Sequence, residues 1–356
     1  MKILIDIGHP AHVHYFRNFV EIMQKRGHQF CLISRNKECT VELLNNYKMP
    51  FHSRGKGSKS LAGKLIYLIK ADIFILKKSL KFKPDLFLSF TSPYPGHVAM
   101  ILNKPHIGFS DTEHAKLGLL AALSFTTNVL TPNSYFNDLG SKHIRFESNM
   151  ELCYLHPKYF QPDENVFEIL GISKTQKYAV VRFVSWNASH DLGHSGFDAQ
   201  TKKDLVKLLS GYMKVFISSE KELPEEFKKY RIKITPEKMH DVLYYASIFV
   251  GEGATMASEC AMLGTPAIYV NSLDAGTLQE QARFGLIFSY RNSVGVMKKL
   301  NDLLQTVNLK ELIQLRCKRF LSKKIDITAF MVWFIENYPV SVKILKENPD
   351  YQLGFK

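Results

Sequence analysis

Short apolar runs alternate with amphipathic stretches twice along this chain, and no other feature limits its fold so tightly. Lys2 to Ile7 is an expected, mostly apolar strand, Val13 to Arg26 repeats apolar residues at helical spacing and closes on Gly27, and Gln29 to Ile33 is the next expected strand. Asp85 to Phe90 and His106 to Phe109 continue the series. Near-continuous apolar strands separated by helices are what a parallel sheet covered on both faces requires. From Glu147 to Lys177 the pattern loosens around Pro157, Pro162 and Gly171, and then it restarts. Tyr178 to Phe183, Val215 to Ser218, Ile232 to Ile234, Ile248 to Val250 and Ala267 to Val270 are expected strands. Ala199 to Leu209, Met239 to Ala246 and Thr255 to Leu263 are expected helices. After about Val294 the pattern is helical, ending in an aromatic segment with Phe330, Trp333, Phe334 and Tyr338.

A chain of 356 residues is too long for one compact core and suits two. The expectation is an α/β protein with two Rossmann-like, doubly wound parallel-sheet domains facing a cleft. The first spans residues 1–155, a linker 156–176, the second domain 177–325, and a helical tail 326–356 packs back on the first domain.

The five cysteines, Cys31, Cys39, Cys153, Cys260 and Cys317, are scattered and never in CxxC spacing, which argues against a disulfide framework and a zinc site. The apolar Ile3 to Ile7 lacks a basic leader and a cleavage site, and no long uncharged apolar run occurs. A cytoplasmic chain is therefore expected. Its net charge of +14 is locally concentrated: nine basic residues against one acid, Asp72, lie between Arg54 and Lys83. Leucine, isoleucine and phenylalanine fill the gaps between these charges, so the stretch reads as a basic helix with a broad apolar face. Two readings stand: a solvated helix packed on a domain core, or a patch on an anionic membrane surface that would place the chain at the inner face of the membrane. Nucleic acid is not expected, because no aromatic platforms are interleaved with the charge.

Ligands of open parallel sheets bind beyond the carboxyl ends of strands. The sharpest such place is Val250-Gly251-Glu252-Gly253-Ala254-Thr255-Met256, followed by Glu259 and then Gly264-Thr265-Pro266. A strand ends, glycines permit a tight turn, and a helix starts with free N–H groups and a positive dipole end, an arrangement suited to a diphosphate. Glu259 shares a helix face with Thr255 and has the chemistry to accept hydrogen bonds from ribose hydroxyls. Gly264 and Pro266 stop the helix and lead into the next strand.

Thr255 to Pro266 resembles the nucleotide-binding segment of GT-B glycosyltransferases, notably the GlcNAc transferase that makes the lipid intermediate of peptidoglycan. The resemblance implies a ribose contact for Glu259, a diphosphate contact for Gly253 to Met256, and a donor-sugar face around Gln279, Glu280 and Gln281. Gly8-His9-Pro10-Ala11-His12-Val13 resembles that transferase's first turn, which ends in His-Val. The chain also resembles the non-hydrolysing UDP-GlcNAc 2-epimerases: Phe109-Ser110-Asp111-Thr112-Glu113-His114-Ala115 is similar to their strand-end loop with a catalytic glutamate. Within the same superfamily it is most similar to an uncharacterised family that shares the opening Gly-His-Pro and the Trp-Asn-Ala-Ser-His-Asp loop at Trp186 to Asp191.

That loop follows the first strand of the second domain. Arg182 near the strand end is suited to pairing with a diphosphate oxygen, and Ser189, His190 and Asp191 to contacting sugar hydroxyls or an acceptor. The alternative is a polar surface loop with a structural Arg182 ion pair. His9, His12 and His14 crowd the first strand-to-helix turn, where one of them can work on substrate or all can cap and pack; no metal ion or other cofactor is expected there or at the Ser189 loop. The Thr91 to His97 loop is either an acceptor-binding wall or a rigid turn.

The expected function is transfer of a sugar from a nucleotide-sugar donor, UDP-linked, to a glycan or lipid-linked acceptor in cell-surface polysaccharide synthesis. His12 is the expected general base, with Asp111 as the alternative. The rival is a sugar-nucleotide 2-epimerase in which Asp111 and Glu113 carry the proton chemistry. A third class is a nucleotide-sugar-binding protein without catalysis.

Overall fold

A computed structural model describes residues 1–58, 60–113, 116–184, 196–219 and 222–356. The chain divides into two compact units, Met1–Tyr154 with Lys324–Lys356, and Leu155–Lys323.

The first unit holds seven strands: β1 Lys2–Ile7, β2 Gln29–Ser34, β3 Phe51–Ser53, β4 Leu86–Ser89, β5 His106–Phe109, β6 Asn128–Pro132 and β7 His143–Phe146. Their order is β3-β2-β1-β4-β5-β6-β7, with every pair parallel. Ile5 sits opposite Leu32 on one side and Leu88 on the other, all three buried. Helices on both faces explain why β1 is apolar at successive positions. The order reverses between β1 and β4, so the loops leaving those strands diverge and open a crevice at their carboxyl ends.

The helix Pro10–Lys25 starts three residues before the expected Val13. Pro10 fits a first helical turn, where its missing N–H is no loss, and His9 caps it by accepting the Ala11 N–H on Nδ1 at 3.2 Å. The basic stretch forms the helix Leu61–Phe82, capped by Ser60. Arg54 does not belong to that helix. Its side chain is 2% exposed and pairs with Asp6 at 2.8 Å, under Tyr67 and Tyr94. The expected loop from Thr91 to His97 is also corrected: Pro93 opens the helix Pro93–Ile101, which contains Tyr94 and His97.

The second unit holds β8 Tyr178–Phe183, β9 Lys214–Ser219, β10 Ile248–Gly251, β11 Ala267–Val270 and β12 Ile287–Tyr290, in the parallel order β12-β11-β10-β8-β9. Val181, Phe183, Val250, Ile268 and Leu205 lie in its core. Ile232 to Ile234 is not a strand: Ile232 N donates to Ile217 O at 3.0 Å and Arg231 makes an isolated bridge, so pairing stops after one contact. The tail helices Ile327–Glu336 and Val340–Glu347 pack in the first unit. There Thr328 Oγ1 and Asn18 Nδ2 both donate to the Cys153 carbonyl, at 3.1 and 2.7 Å.

Candidate functional site

In the second unit the strand order reverses between β8 and β10, which places Val184 and the turn after Gly251 at the crevice of that sheet. Gly251 stands opposite Arg182 in the ladder. A Cβ on Gly251 would come within 2.8 Å of Arg182 Cβ and 2.9 Å of its carbonyl, so the glycine is required by the close approach of β8. Gly253 caps the helix Ala254–Leu263 without a side-chain hydrogen bond. Ala254 is exposed and Thr255 and Met256 are half-buried, so the first turn presents its backbone N–H groups at the surface. With the macrodipole added, that is an anion-binding end. The Arg182 stem lies against Gly253, and its guanidinium donates to Ser218 Oγ at 2.8 Å.

Glu259, one turn further in, is 5% exposed, and its Oε1 is 3.0 Å from His240 Nε2. This buried imidazole–carboxylate pair has no counterpart in the sequence reading. Gln279 is half-buried and its amide is engaged by Asp274 and Arg283. Gln281 is fully buried and donates to Ser258 Oγ at 2.6 Å, so it ties two helices together. Ser189, His190 and Asp191 lie outside the described residues. The residues on either side of 185–195 are described, and both sides end on Glu252: its Oε2 accepts the Val184 N–H at 2.9 Å and its Oε1 the Phe197 N–H at 2.8 Å. Lys202 Nζ stands 3.7 Å from the same Oε1. Burial lowers the Lys202 pKa and Glu252 opposes that shift. Nothing in the sequence marks this role of Glu252, since a charged residue between two turn glycines looks solvated.

The first unit gathers a separate cluster after β1, β4 and β5. His12 stacks on Phe90 at 4.4 Å, and Tyr15 stacks on the same ring at 4.8 Å. Tyr15 OH donates to Asp111 Oδ2 at 3.1 Å, with Thr112 Oγ1 on the other oxygen at 3.0 Å. His12 and Asp111 are thereby joined through Tyr15, which sits one helical turn beyond His12 and was not singled out in the sequence. Glu113 is 6% exposed and accepts the Phe136 N–H at 3.2 Å. His14 is buried and stacks on Tyr154 at 5.0 Å, whereas His9 caps its helix and keeps its ring 5.9 Å from that of His12.

The state of His12 follows from its surroundings. His12 is partly buried and closely surrounded by protein, and that desolvation, aided by His9, Lys37 and Arg54, pulls its pKa well below the usual imidazole value. Gly8 N–H donates to its Nδ1 at 3.2 Å, so the neutral ring carries its proton on Nε2. In that tautomer the other nitrogen is a donor.

A family model described as a protein of unknown function, DUF354, matches residues 1–339. An uncharacterised protein of Methanocaldococcus jannaschii is 27% identical over 278 residues, which is 75% of this chain and 81% of that protein. Among solved structures, the UDP-GlcNAc 2-epimerase of Neisseria meningitidis bound to UDP-GlcNAc has a TM-score of 0.65 at 12% identity, covering 98% of this chain and 99% of that one. The UDP-GlcNAc 2-epimerase of M. jannaschii in complex with UDP-GlcNAc and UDP has a TM-score of 0.63 at 13% identity, over 86% and 94% of the two chains. The Streptomyces glycosyltransferase SsfS6 complexed with thymidine diphosphate has a TM-score of 0.60 at 13% identity, over 94% and 99%. At these identities the likeness is one of fold, and the fold is GT-B.

Proposed function

The chain belongs to the DUF354 family, and from its GT-B fold and its site geometry we propose that it is a nucleotide-sugar enzyme, a glycosyltransferase using a UDP-linked donor and a glycan or lipid-linked acceptor of cell-surface polysaccharide synthesis. The observation that carries this reading is the open first turn of Ala254–Leu263 beside Arg182, at the point where the strand order of its sheet reverses. Backbone N–H groups of residues 254 to 256 and the Arg182 guanidinium hold the diphosphate and stabilise it as leaving group, and Glu259 takes the ribose hydroxyls. The ligands named for the epimerase and transferase structures, UDP-GlcNAc, UDP and thymidine diphosphate, are of this chemical class.

In the first unit the proton chemistry falls to Asp111. A base must accept a proton in the reacting geometry, and a weakly basic His12 with its proton on Nε2 is instead a hydrogen-bond donor to a substrate oxygen. Tyr15 and Thr112 hold the Asp111 carboxylate in place. The same observation favours one second reading, a sugar-nucleotide 2-epimerase, since Asp111 and Glu113 would then work on the donor itself. Incubation with UDP-GlcNAc alone separates the two: the transferase reading expects no change without an acceptor and UDP release with one, and epimerisation without acceptor would replace it. Binding without turnover in either assay would leave a nucleotide-sugar-binding protein, and failure of UDP and UDP-GlcNAc to bind would refute both enzymatic readings.

A further inference from the structure

The helix Leu61–Phe82 has two apolar faces, and the fold uses one. Ala71 and Ile75 are buried with Ser79 on the side facing the sheet, among Phe87, Val98 and Ala99. Leu65, Ile66, Ile69, Ile73 and Leu80 are 49 to 66% exposed. At about 100° per residue these five positions fall in one stripe on the opposite side, and at about 1.5 Å per residue it runs for about 22 Å. Lys70, Lys77 and Lys81 are exposed and follow one edge of the stripe. The sole acid of the helix, Asp72, is turned into a contact with His97 at 2.8 Å. The adjoining helix Pro93–Ile101 also leaves Met100 and Ile101 exposed, at 60 and 62%, with Lys104 following in the chain.

Folding alone does not call for an outward stripe of five large apolar side chains, and an exposed patch of this kind marks a surface that is covered in use. Charge decides the occupant. A second copy of a chain with a net charge of +14 would bring the same stripe and the same lysine row, setting cations against cations. None of the described helices is long and apolar enough to cross a membrane, and lysines within the helix exclude burial of its whole circumference. A helix lying in the interface, apolar side down and lysines beside it, meets both features. We propose that this face docks the first unit on an anionic lipid bilayer, with Leu65, Ile66, Ile69, Ile73 and Leu80 entering the headgroup boundary and Lys70, Lys77 and Lys81 on the acidic headgroups. Arg54 takes no part, being locked to Asp6.

The test is co-sedimentation of the full chain with vesicles of phosphatidylcholine alone and of phosphatidylcholine mixed equally with phosphatidylglycerol, across a salt series. The wild-type chain is expected to partition onto the mixed vesicles and to release as salt rises. With each lysine near the surface contributing about 1 kcal/mol, Lys70→Gln/Lys77→Gln/Lys81→Gln should weaken partitioning about 100-fold. Ile69→Ser/Ile73→Ser should weaken it about tenfold or more through lost apolar insertion. All five substituted side chains are exposed, so unfolding midpoints should stay near wild type and serve as the control. Equal recovery from the two vesicle types overturns the proposal, as does wild-type partitioning by both variants. So does a vesicle-free dimer that Ile69→Ser/Ile73→Ser converts to monomer.

Discussion

Glu252 is the residue whose replacement gives the clearest test of how the second unit is held. Its carboxylate is 6% exposed and receives one N–H from each side of residues 185–195, from Val184 and from Phe197. In Glu252→Ala the buried Phe197 N–H loses its acceptor, the half-buried Val184 N–H loses one as well, and Lys202, 4% exposed, loses its carboxylate. An orphaned buried donor costs about 1 to 3 kcal/mol, and the less buried one less, so a loss of about 3 kcal/mol is expected from the two together. Glu252→Gln keeps one acceptor oxygen and should lose about half as much. The geometry makes a second, independent demand: a Cβ on Gly196 would lie 2.2 Å from Glu252 Oε1. Gly196→Ala should therefore destabilise the wild-type chain, and much of that cost should vanish in the Glu252→Ala background, giving a coupling of about 1 kcal/mol or more in a double-mutant cycle. Urea denaturation measures the stabilities, and hydrogen exchange reads the Val184 and Phe197 amides directly. Glu252→Ala within about 0.5 kcal/mol of wild type, the range of ordinary surface substitutions, with both amides still protected, would refute the reasoning.

Four further outcomes are expected. Arg54→Ala strips a buried carboxylate of its partner at Asp6 and should cost about 3 to 5 kcal/mol in chemical denaturation, against near-neutral substitution of Lys56. His106, buried against Ser89 Oγ, has its pKa lowered to about 4 chiefly by burial; the unfolded chain binds more protons between pH about 6.5 and about 4, so stability is lost as pH falls through that window, and His106→Gln should flatten the slope. Lys310, whose ammonium donates to Tyr244 O, Ala246 O and Thr265 Oγ1, is pulled down to about 7 by burial; stability should rise as pH increases from about 7 to about 10, a rise that Lys310→Met abolishes. Nitrogen NMR shifts of His12 should report a neutral ring protonated on Nε2 at neutral pH, and a protonated Nδ1 would return the base role to His12.

The parts of the fold most legible in the sequence are strands with long apolar stretches and helices with marked ends. β1 and β8 are apolar apart from Lys2, Asp6 and Arg182, β11 is apolar throughout, and the helix Ala254–Leu263 is punctuated at both ends, with Gly264 at φ +67 where the backbone of Gln314 approaches. β3, β6, β7 and β12 were not foreseen. They run only three to five residues and carry His52, Asn128, His143 or Ser289 within them, so periodicity has little to act on. Arg54 shows a different limit: a basic residue in a basic stretch looks solvated, and nothing local discloses Asp6, forty-eight positions earlier, at the end of β1. His240 is invisible for the same reason, since its tie to Glu259 spans nineteen residues and two helices. At Gly251 the position was legible and its cause was not. The glycine yields room to β8, a fact of strand neighbours that follows only once the sheet order is known.

That buried pair governs how any Glu259 result must be interpreted. If Glu259 serves the ribose, Glu259→Ala should weaken UDP binding about tenfold to a hundredfold, the worth of a charge-assisted hydrogen bond. Yet the same change leaves His240, 6% exposed, without this carboxylate, so affinity could fall simply because the helix Ala254–Leu263 shifts against its neighbour. The two causes separate when the histidine is changed instead. His240→Asn spares the carboxylate and disturbs only its support, whereas Glu259→Gln keeps an acceptor for His240 and removes the charge. A ligand role expects Glu259→Gln to lose affinity with little loss of stability, and His240→Asn to lose stability first. Equal losses of stability in both, with UDP affinity unchanged in each folded variant, would make the pair a structural tie and leave the nucleotide to Arg182 and the open helix end.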